Sequence, residues 1–470
     1  MASPLFVRTT MIAASKAPAS QTGVVRWVRE NLFSSWLNAL LTLAALYVVY
    51  YLAATIGPWF ARSVWTGSSL TECRATIAAT YGEGKSGACF AVISERWQQI
   101  LFGFYPRELY WRPTLALVLM LVALGPVLFT WVPRAMLWFS VCFPALAFWL
   151  LWGGTVWFPI FLILGLGLVG FAVAFVSARR GLLVGFLAGL ALFLIIFLDP
   201  VSMLLTVFES VIGLFTTNQP SLSAVIFGYD LRDLFPLFSH FETFFQHHFP
   251  IGLRELRSAD FGGFLLSAVI GISGIAFSLP IGILLALGRQ SDMLVVKSFC
   301  VAFIEGFRGV PLITLLFTAS LLLNYFLPPG TEFDIILRVI IMVTLFSAAY
   351  MAEVIRGGLA ALPRGQYEAA DALGLDYWQA QRLIIMPQAL KVSIPGIVGN
   401  FIGLFKDTTL VSFISLQDPL QLVSSIRANT QWNGIYWELF IFVGLLFFIF
   451  CFSMSRYSMY LENKLKTDHR

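Results

Sequence analysis

Ten apolar segments divide this chain, and each is long enough to cross a lipid bilayer. A crossing needs about twenty predominantly apolar residues. Only 12% of the 470 residues are charged and 59% are hydrophobic, whereas an average soluble protein carries about a quarter charged residues. The sequence therefore predicts an all-α, polytopic membrane bundle. The predicted spans are 33–56, 113–132, 136–153, 157–177, 181–198, 261–288, 299–326, 335–355, 388–413 and 436–457.

Lys and Arg in the short loops predict the orientation, because basic loops stay preferentially on the cytoplasmic side. The alternate loops, 327–334 and 414–435, are poorer in basic residues. This asymmetry predicts that both termini are cytoplasmic. The loops and helix ends on the basic side contain Arg134, Arg179, Arg180, Arg289, Lys297, Arg356, Arg364 and Arg382.

The spans fall into two unequal halves. Residues 1–32 are expected to be a cytoplasmic tail, since no apolar signal-peptide region precedes Leu32. Residues 33–255 are predicted to form a membrane extension with a long outer loop at 57–112. The remaining spans, within 256–462, are predicted to form a compact five-helix unit.

The cysteines and basic residues limit the kinds of site and partner. Cys73 and Cys89 both lie in the outer loop, so a disulfide is predicted if that loop faces an oxidising compartment; two free thiols are the alternative. Neither a Cys-x-x-Cys motif nor a Cys/His cluster occurs, and no metal site is expected. The basic residues stand at span ends, which gives no reason to expect a nucleic-acid partner.

A polar segment at 367–387 separates two of the spans. A short helix is predicted over 365–373, and its small residues Ala369 and Ala370 would let a partner surface approach closely. Gly374 is expected to end this helix in a left-handed turn.

A second short helix is predicted after this turn. Asp376, three residues before Gln379, has the spacing of a capping box at a helix start. Pro387 is predicted to stop the second helix at Met386.

Glu368, Ala369, Ala370, Gly374 and Pro387 together resemble the EAA loop of ABC-importer permeases, a cytoplasmic helix pair that docks onto an ATPase. The resemblance assigns Glu368, Ala369, Ala370, Gly374, Asp376 and Pro387, within the loop 356–387, to ATPase coupling. Further matches to the polar amino-acid permeases occur at 308–312, 350–358, 362–366, 387–390 and 404–410. Residues 87–93 and 102–106 resemble the extension of the general L-amino-acid permeases of bacterial inner membranes.

This resemblance implies the permease subunit of an importer for L-amino acids of broad type in the bacterial inner membrane. It implies three partners: an ABC ATPase dimer, a second related permease subunit and a periplasmic binding protein. The chain would have no catalytic residue and no cofactor, because the ATPase would bind ATP and Mg²⁺. No Walker A motif is present, and Gly84-Lys85-Ser86 lacks an upstream glycine at P-loop distance.

Three ionisable residues, Glu305, Glu353 and Lys406, are predicted near or within the core spans. Such groups cost roughly 2.5–3.5 kcal/mol on insertion scales and usually pair or face a cavity. They are candidates for a substrate path, since a zwitterionic amino acid needs partners for an ammonium and a carboxylate. The alternative is a set of structural pairs, Glu305 with Arg308 and Lys406 with Asp407.

Two other functional classes fit a polytopic chain. A secondary transporter or channel for small polar solutes would explain the spans but not the polar loop. An integral-membrane enzyme should show His, Asp and Glu clusters at one membrane face, and His240, His247 and His248 have only Glu242 near them. Transport with and without a co-expressed ATPase separates the importer from the autonomous transporter.

Overall fold

A computed structural model describes residues 23–129, 131–180, 251–322 and 334–465, with a few residues between 185 and 249. The described part is helical apart from one isolated bridge and one two-residue antiparallel pairing, β1 (Gly154–Thr155) with β2 (Gly252–Leu253). The predicted all-α membrane bundle is therefore confirmed. The chain forms two compact units, residues 1–94 and 95–470.

In the first half of the chain, seven α-helices have both ends within the described residues. They are α1 (Gly23–Asn31), α2 (Trp36–Ala61), α3 (Leu70–Tyr81), α4 (Ala91–Phe102), α5 (Trp111–Leu128), α6 (Leu137–Trp152) and α7 (Trp157–Arg180). The helices of the second half are α8 (Gly263–Gln290), α9 (Leu294–Gly309), α10 (Leu312–Phe317), α11 (Ile335–Ala360), α12 (Gly365–Ala372), α13 (Tyr377–Ala380), α14 (Met386–Asp407), α15 (Pro419–Ala428) and α16 (Trp437–Leu465).

Eight described helical segments are long and apolar enough to span a membrane, and a bent helix pair brings the number to nine if it counts as one span. They match nine of the predicted spans in position. The tenth, 181–198, lies mostly outside the described residues. The predicted span 299–326 coincides with the bent pair, in which α9 and 312–322 meet at 101° instead of forming one straight helix. Pro311 lacks an N–H, and Val310 before it is extended at φ −114°, ψ 132°, so the helix cannot continue.

The first unit combines a spanning helix with a small disulfide-linked fold. No residue of α2 is buried, as expected for a helix in contact with lipid. Cys73 in α3 is bonded to Cys89, and both are buried. The N–H of Ser68 donates to Glu72 and lowers the pKa of that carboxyl.

The second unit contains a core in which α8 packs along α11 and α11 along α14. Glycines permit this close approach. A Cβ atom at Gly282 would lie 2.7 Å from Cβ of Met351, and one at Gly358 would lie 2.6 Å from the carbonyl oxygen of Ala389. Small residues bring membrane helices together because packing, rather than the hydrophobic effect, drives their association.

Candidate functional site

The polar loop between α11 and α14 begins with the short helix α12. Glu368 and Ala369 are exposed on it, whereas Ala370 is completely buried. The expectation that Ala370 faces a partner is therefore wrong. The helix packs against residues 381–385 of its own chain, so Ala370 is small for internal packing.

The turn after α12 has the backbone geometry that the sequence predicts. Gly374 has φ +69°, and its N–H donates to the carbonyl of Asp371 at 2.9 Å. The N–H of Leu375 donates to the carbonyl of Ala370 at 3.2 Å and closes the turn. No atom lies within 4 Å of a Cβ placed on Gly374. The glycine is thus required by its φ angle and not by crowding.

Helix α13 starts at the predicted capping box. The N–H of Gln379 donates to Oδ1 of Asp376 at 2.8 Å, and the N–H of Asp376 donates to Oε1 of Gln379 at 3.3 Å. These two bonds satisfy N–H groups that have no partner within the helix. Asp376 therefore fixes where the second part of the loop begins.

The prediction that Pro387 ends the second helix is wrong. A π-helical turn at Gln381–Ile385 leads directly into α14, and the helical path runs unbroken from Tyr377 to Ile414. Pro387 lies in the first turn of α14, where a missing N–H is tolerated. The wider π turn changes the local hydrogen-bond pattern, which helps a proline to follow without a break.

Gln388 holds this π turn against α12. Its Nε2 atom donates to Oε1 of Gln366 at 2.9 Å and to the carbonyl of Ile384 at 3.0 Å. These bonds tie the start of α12 to the start of α14. The sequence does not indicate this role of Gln388, because its partner is 22 residues away.

The loop also exposes large apolar side chains that the sequence analysis did not single out. Leu373 is 73% exposed and Leu383 is 64% exposed, with Tyr377 and Trp378 about equally half-exposed. Exposed apolar groups that lie close together commonly mark protein contact sites. Their position in a loop otherwise rich in polar residues was the available signal.

Five charged side chains meet where α8, α9 and α11 approach the loop. Arg289 at the end of α8 donates from Nη1 to Glu353 in α11 and, at 3.0 Å, to Glu305 in α9. Arg356 donates to the second oxygen of Glu353 at 2.9 and 3.0 Å. Arg308 lies 3.7 Å from Glu353 and 3.8 Å from Glu305. We call these five residues the ion-pair network.

The ion-pair network shows how its two carboxylates are paired. The predicted pairing of Glu305 with Arg308 is present but long, and Arg289 is the nearer partner. Glu353 is only 17% exposed and is engaged by arginines on both oxygens. In the sequence, Arg289 and Arg356 indicate only the orientation of the chain in the membrane. Their contacts with Glu353 could not be predicted.

Lys406, the third residue predicted for the substrate path, does not belong to this network. Lys406 is in the last turn of α14 with an exposed side chain. The ion pairs found among the described residues do not include it. Among the residues that the structure describes, no group of three His, Cys, Asp or Glu residues could hold a metal ion.

Residues 278–467 match a protein family that is described as "Binding-protein-dependent transport system inner membrane component". The chain is 54% identical over 471 residues to the glutamate/glutamine/aspartate/asparagine transport system permease protein BztC of Rhodobacter capsulatus, covering 100% of both. It is 36% identical to the inner membrane amino-acid ABC transporter permease protein YhdY of Escherichia coli, covering 94% of this chain and 93% of that one. A solved amino acid ABC transporter is 27% identical, covering 43% of this chain and 91% of that chain, with a TM-score of 0.39.

Proposed function

Because this chain belongs to the family of binding-protein-dependent inner-membrane transport components, we propose that it translocates L-amino acids in an ATP-driven importer. It is a multi-pass ABC permease subunit. The observation that carries the proposal is the polar loop, which presents a capped helix pair and exposed apolar side chains beside the helical core. A membrane-embedded chain has little use for such a surface unless a protein binds it. The printed names of the full-length relatives support amino acids as the substrates.

We propose that the loop docks onto an ABC ATPase dimer, which binds ATP and Mg²⁺ and performs the hydrolysis. The permease itself would need no cofactor. A second, related permease subunit would complete the translocation path, and a periplasmic binding protein would deliver the substrate. The family description, with its dependence on a binding protein, supports the last of these partners.

Within the loop, we propose a distinct part for each coupling residue. Glu368 and Ala369 are exposed and would contact the ATPase, together with Leu373 and Trp378. The others set the shape of the loop: Ala370 by packing inside it, Gly374 by its φ angle, Asp376 by capping α13, and Pro387 by following the π turn.

For the substrate path, we propose that Lys406 meets the carboxylate of the amino acid. Glu305 is the more accessible of the two carboxylates, with 54% of its side chain exposed, and is the better candidate for the ammonium. Glu353 already accepts from Arg289 and Arg356, so its part in the path would be to hold those arginines.

We propose that both termini and the polar loop face the cytoplasm, with loop 414–435 outside. The distribution of Lys and Arg supports this orientation. Labelling of single cysteines with a membrane-impermeant reagent tests it. Labelling of either tail from outside would reverse the topology.

Uptake into proteoliposomes tests the function. The chain is reconstituted with its ATPase and second permease, and the binding protein is added outside. Uptake of radiolabelled L-amino acids should require ATP inside and binding protein outside, and competition by a panel of amino acids would define the substrates. Ion-gradient-driven uptake by the chain alone would instead establish the secondary transporter.

A further inference from the structure

Three chain segments meet at backbone contact at the end of α8 opposite the ion-pair network. Helix α8 has 28 residues, which makes it about 42 Å long, with Gly263 at one end and Arg289 near the other. A Cβ on Gly103 would lie 2.3 Å from Cα of Gly262, and one on Gly263 would lie 2.4 Å from the carbonyl oxygen of Ile100. The N–H of Gly263 donates to the carbonyl of Gln417 at 2.6 Å. Residues 100–103, 262–263 and 417 thus touch with no side chain between them.

Polar side chains extend this junction along the segment 415–436, which contains α15. The indole Nε1–H of Trp432 donates to Oε2 of Glu95 at 3.1 Å, and the Trp432 side chain is completely buried. Arg96 pairs with Glu95 at 3.1 Å and donates to Oε1 of Gln431 at 3.3 Å. The middle of α4 is therefore bound to the segment before α16 through directional hydrogen bonds.

An aromatic layer lies behind the junction. Trp152 at the end of α6 stacks on Phe261 at 4.3 Å between ring centroids, and Tyr105 meets Phe261 edge-on at 5.6 Å. The Tyr105 hydroxyl donates to the carbonyl of Leu151 at 2.9 Å. Burial raises the pKa of Tyr105 to about 12.

A buried arginine lies beside the same layer. The guanidinium of Arg112 is 2% exposed and donates from Nη1 to the carbonyl of Arg254 at 2.8 Å. The backbone approaches closely here, since a Cβ on Gly153 would lie 2.2 Å from that carbonyl oxygen. Close-packed interiors of this kind shift between discrete arrangements and do not slide continuously.

The contacts at the opposite end of α8 are of another kind. The ion-pair network consists of long side chains that are 17–54% exposed. Solvated ion pairs are weak and can exchange partners at small cost. The π turn at 381–385 lies on the same side and is a common site of adjustment in a helix. The two ends of the core therefore differ in how readily their contacts can change.

We propose that the extension, through residues 95–112, serves as a brace that holds α8 and the segment 415–436 together as one rigid unit, so that contacts within the chain rearrange during transport at the loop end. The brace would keep Glu95, Trp432, Gly103 and Gly263 in contact through the whole cycle. This inference rests on the proposed transport function. It gives the extension a mechanical purpose: the contacts at one end of the core are preserved while those at the other end respond to the ATPase.

Cross-linking in the assembled importer tests the brace. The cysteines Cys142, Cys300 and Cys451 are first replaced with alanine, and the parent must retain ATP-driven uptake. Arg96→Cys is then combined with Gln431→Cys and bridged by a short bifunctional thiol reagent. The control at the loop end combines Gln366→Cys with Gln388→Cys, whose side chains are joined by a hydrogen bond of 2.9 Å. Each pair is compared before and after bridging, and with its single-cysteine variants treated in the same way.

Bridging residues 96 and 431 should leave the uptake rate unchanged, whereas bridging 366 and 388 should abolish uptake. The brace is refuted if the first bridge stops transport, if it does not form, or if both bridges are tolerated equally. A parent that shows no ATP-driven uptake would refute the proposed function instead, before any bridge is made.

Discussion

Arg289 and Glu353 are 64 residues apart in the sequence, and a direct hydrogen bond joins them at the loop end of the core. Arg289 also holds Glu305, so one guanidinium links α8, α9 and α11. Glu353 is the central acceptor, since three arginines approach it. The helix ends nearest the polar loop thus meet at a single carboxylate.

Glu353→Gln should lower the free energy of unfolding by about 1–2 kcal/mol, because a largely covered carboxylate is lost while its arginines remain. Glu305→Gln, at a more exposed position, should cost well under 1 kcal/mol. Thermal unfolding in detergent measures both variants. The double variant Arg289→Gln with Glu353→Gln should be less destabilised than the sum of its singles. Equal losses for Glu353→Gln and Glu305→Gln would contradict the central place of Glu353.

Gly374→Val should uncouple ATP hydrolysis from substrate without preventing membrane insertion. A β-branched residue at φ +69° costs on the order of 1–2 kcal/mol locally, and relief of this strain would displace α13. Gly374→Asn should be tolerated better, since asparagine adopts the left-handed region more readily. Gly365→Ala is the matched control, because that glycine has open space and no positive φ. Substrate-stimulated ATP hydrolysis by the complex is the measurement, and normal stimulation in Gly374→Val would oppose a coupling role for the turn.

Glu368→Lys reverses a charge on the exposed face of α12. The variant should fold and insert normally, since no span is changed, but it should bind the ATPase more weakly. Co-purification of the ATPase with the permease in mild detergent measures this loss. Asp371→Lys is the control for the charge change on the same helix. Undiminished co-purification together with full transport would make the loop a passive connector.

Asp418 predicts a pH dependence on the other side of the core. This carboxyl caps α15 by accepting from the N–H groups of Leu420 and Gln421, and it is completely buried. Burial raises its pKa from 3.8 to about 6. The folded state therefore holds the proton more tightly than the unfolded state. Its contribution to stability grows as the pH falls from about 6 towards 4 and is constant above about 6.

Asp418→Asn should raise the unfolding temperature at pH 7.5, because asparagine keeps the cap without a buried charge. At pH 4.5 the advantage of the variant should shrink, since Asp418 is then largely protonated. Asp418→Ala is the control that removes the cap, and it should cost about 1 kcal/mol. An Asp418→Asn variant that is less stable than the parent at pH 7.5 would refute a buried ionised carboxyl.

The spans could be predicted from the sequence because the membrane requires long apolar runs with internally bonded backbone. Gly374 and the Asp376 cap were equally readable, since each acts within four residues along the chain. The break at Pro311 was not foreseen because apolar residues continue on both sides of it. The signal was the proline itself, which the hydropathy of 299–326 concealed.

Contacts distant in the sequence could not be predicted. Glu353 and Arg289 come within hydrogen-bond distance only when α8 packs along α11. Gln388 likewise acts on Gln366, and the indole of Trp432 meets a carboxylate 337 residues away. The prediction that Pro387 ends the second helix failed for a related reason. The π turn that accommodates this proline has no sequence signature of its own.

The π turn at 381–385 also sets the relative rotation of two surfaces. An α-helix advances about 100° per residue, and a π turn contains about one residue more than an α turn. The side chains of α13 are therefore rotated by about that angle from the stripes that α14 would extend. A helical wheel drawn through residues 377–407 assigns the wrong azimuth to one of the two helices. Conversion of this turn to α geometry would twist the loop about the axis of α14 while leaving the span itself in place.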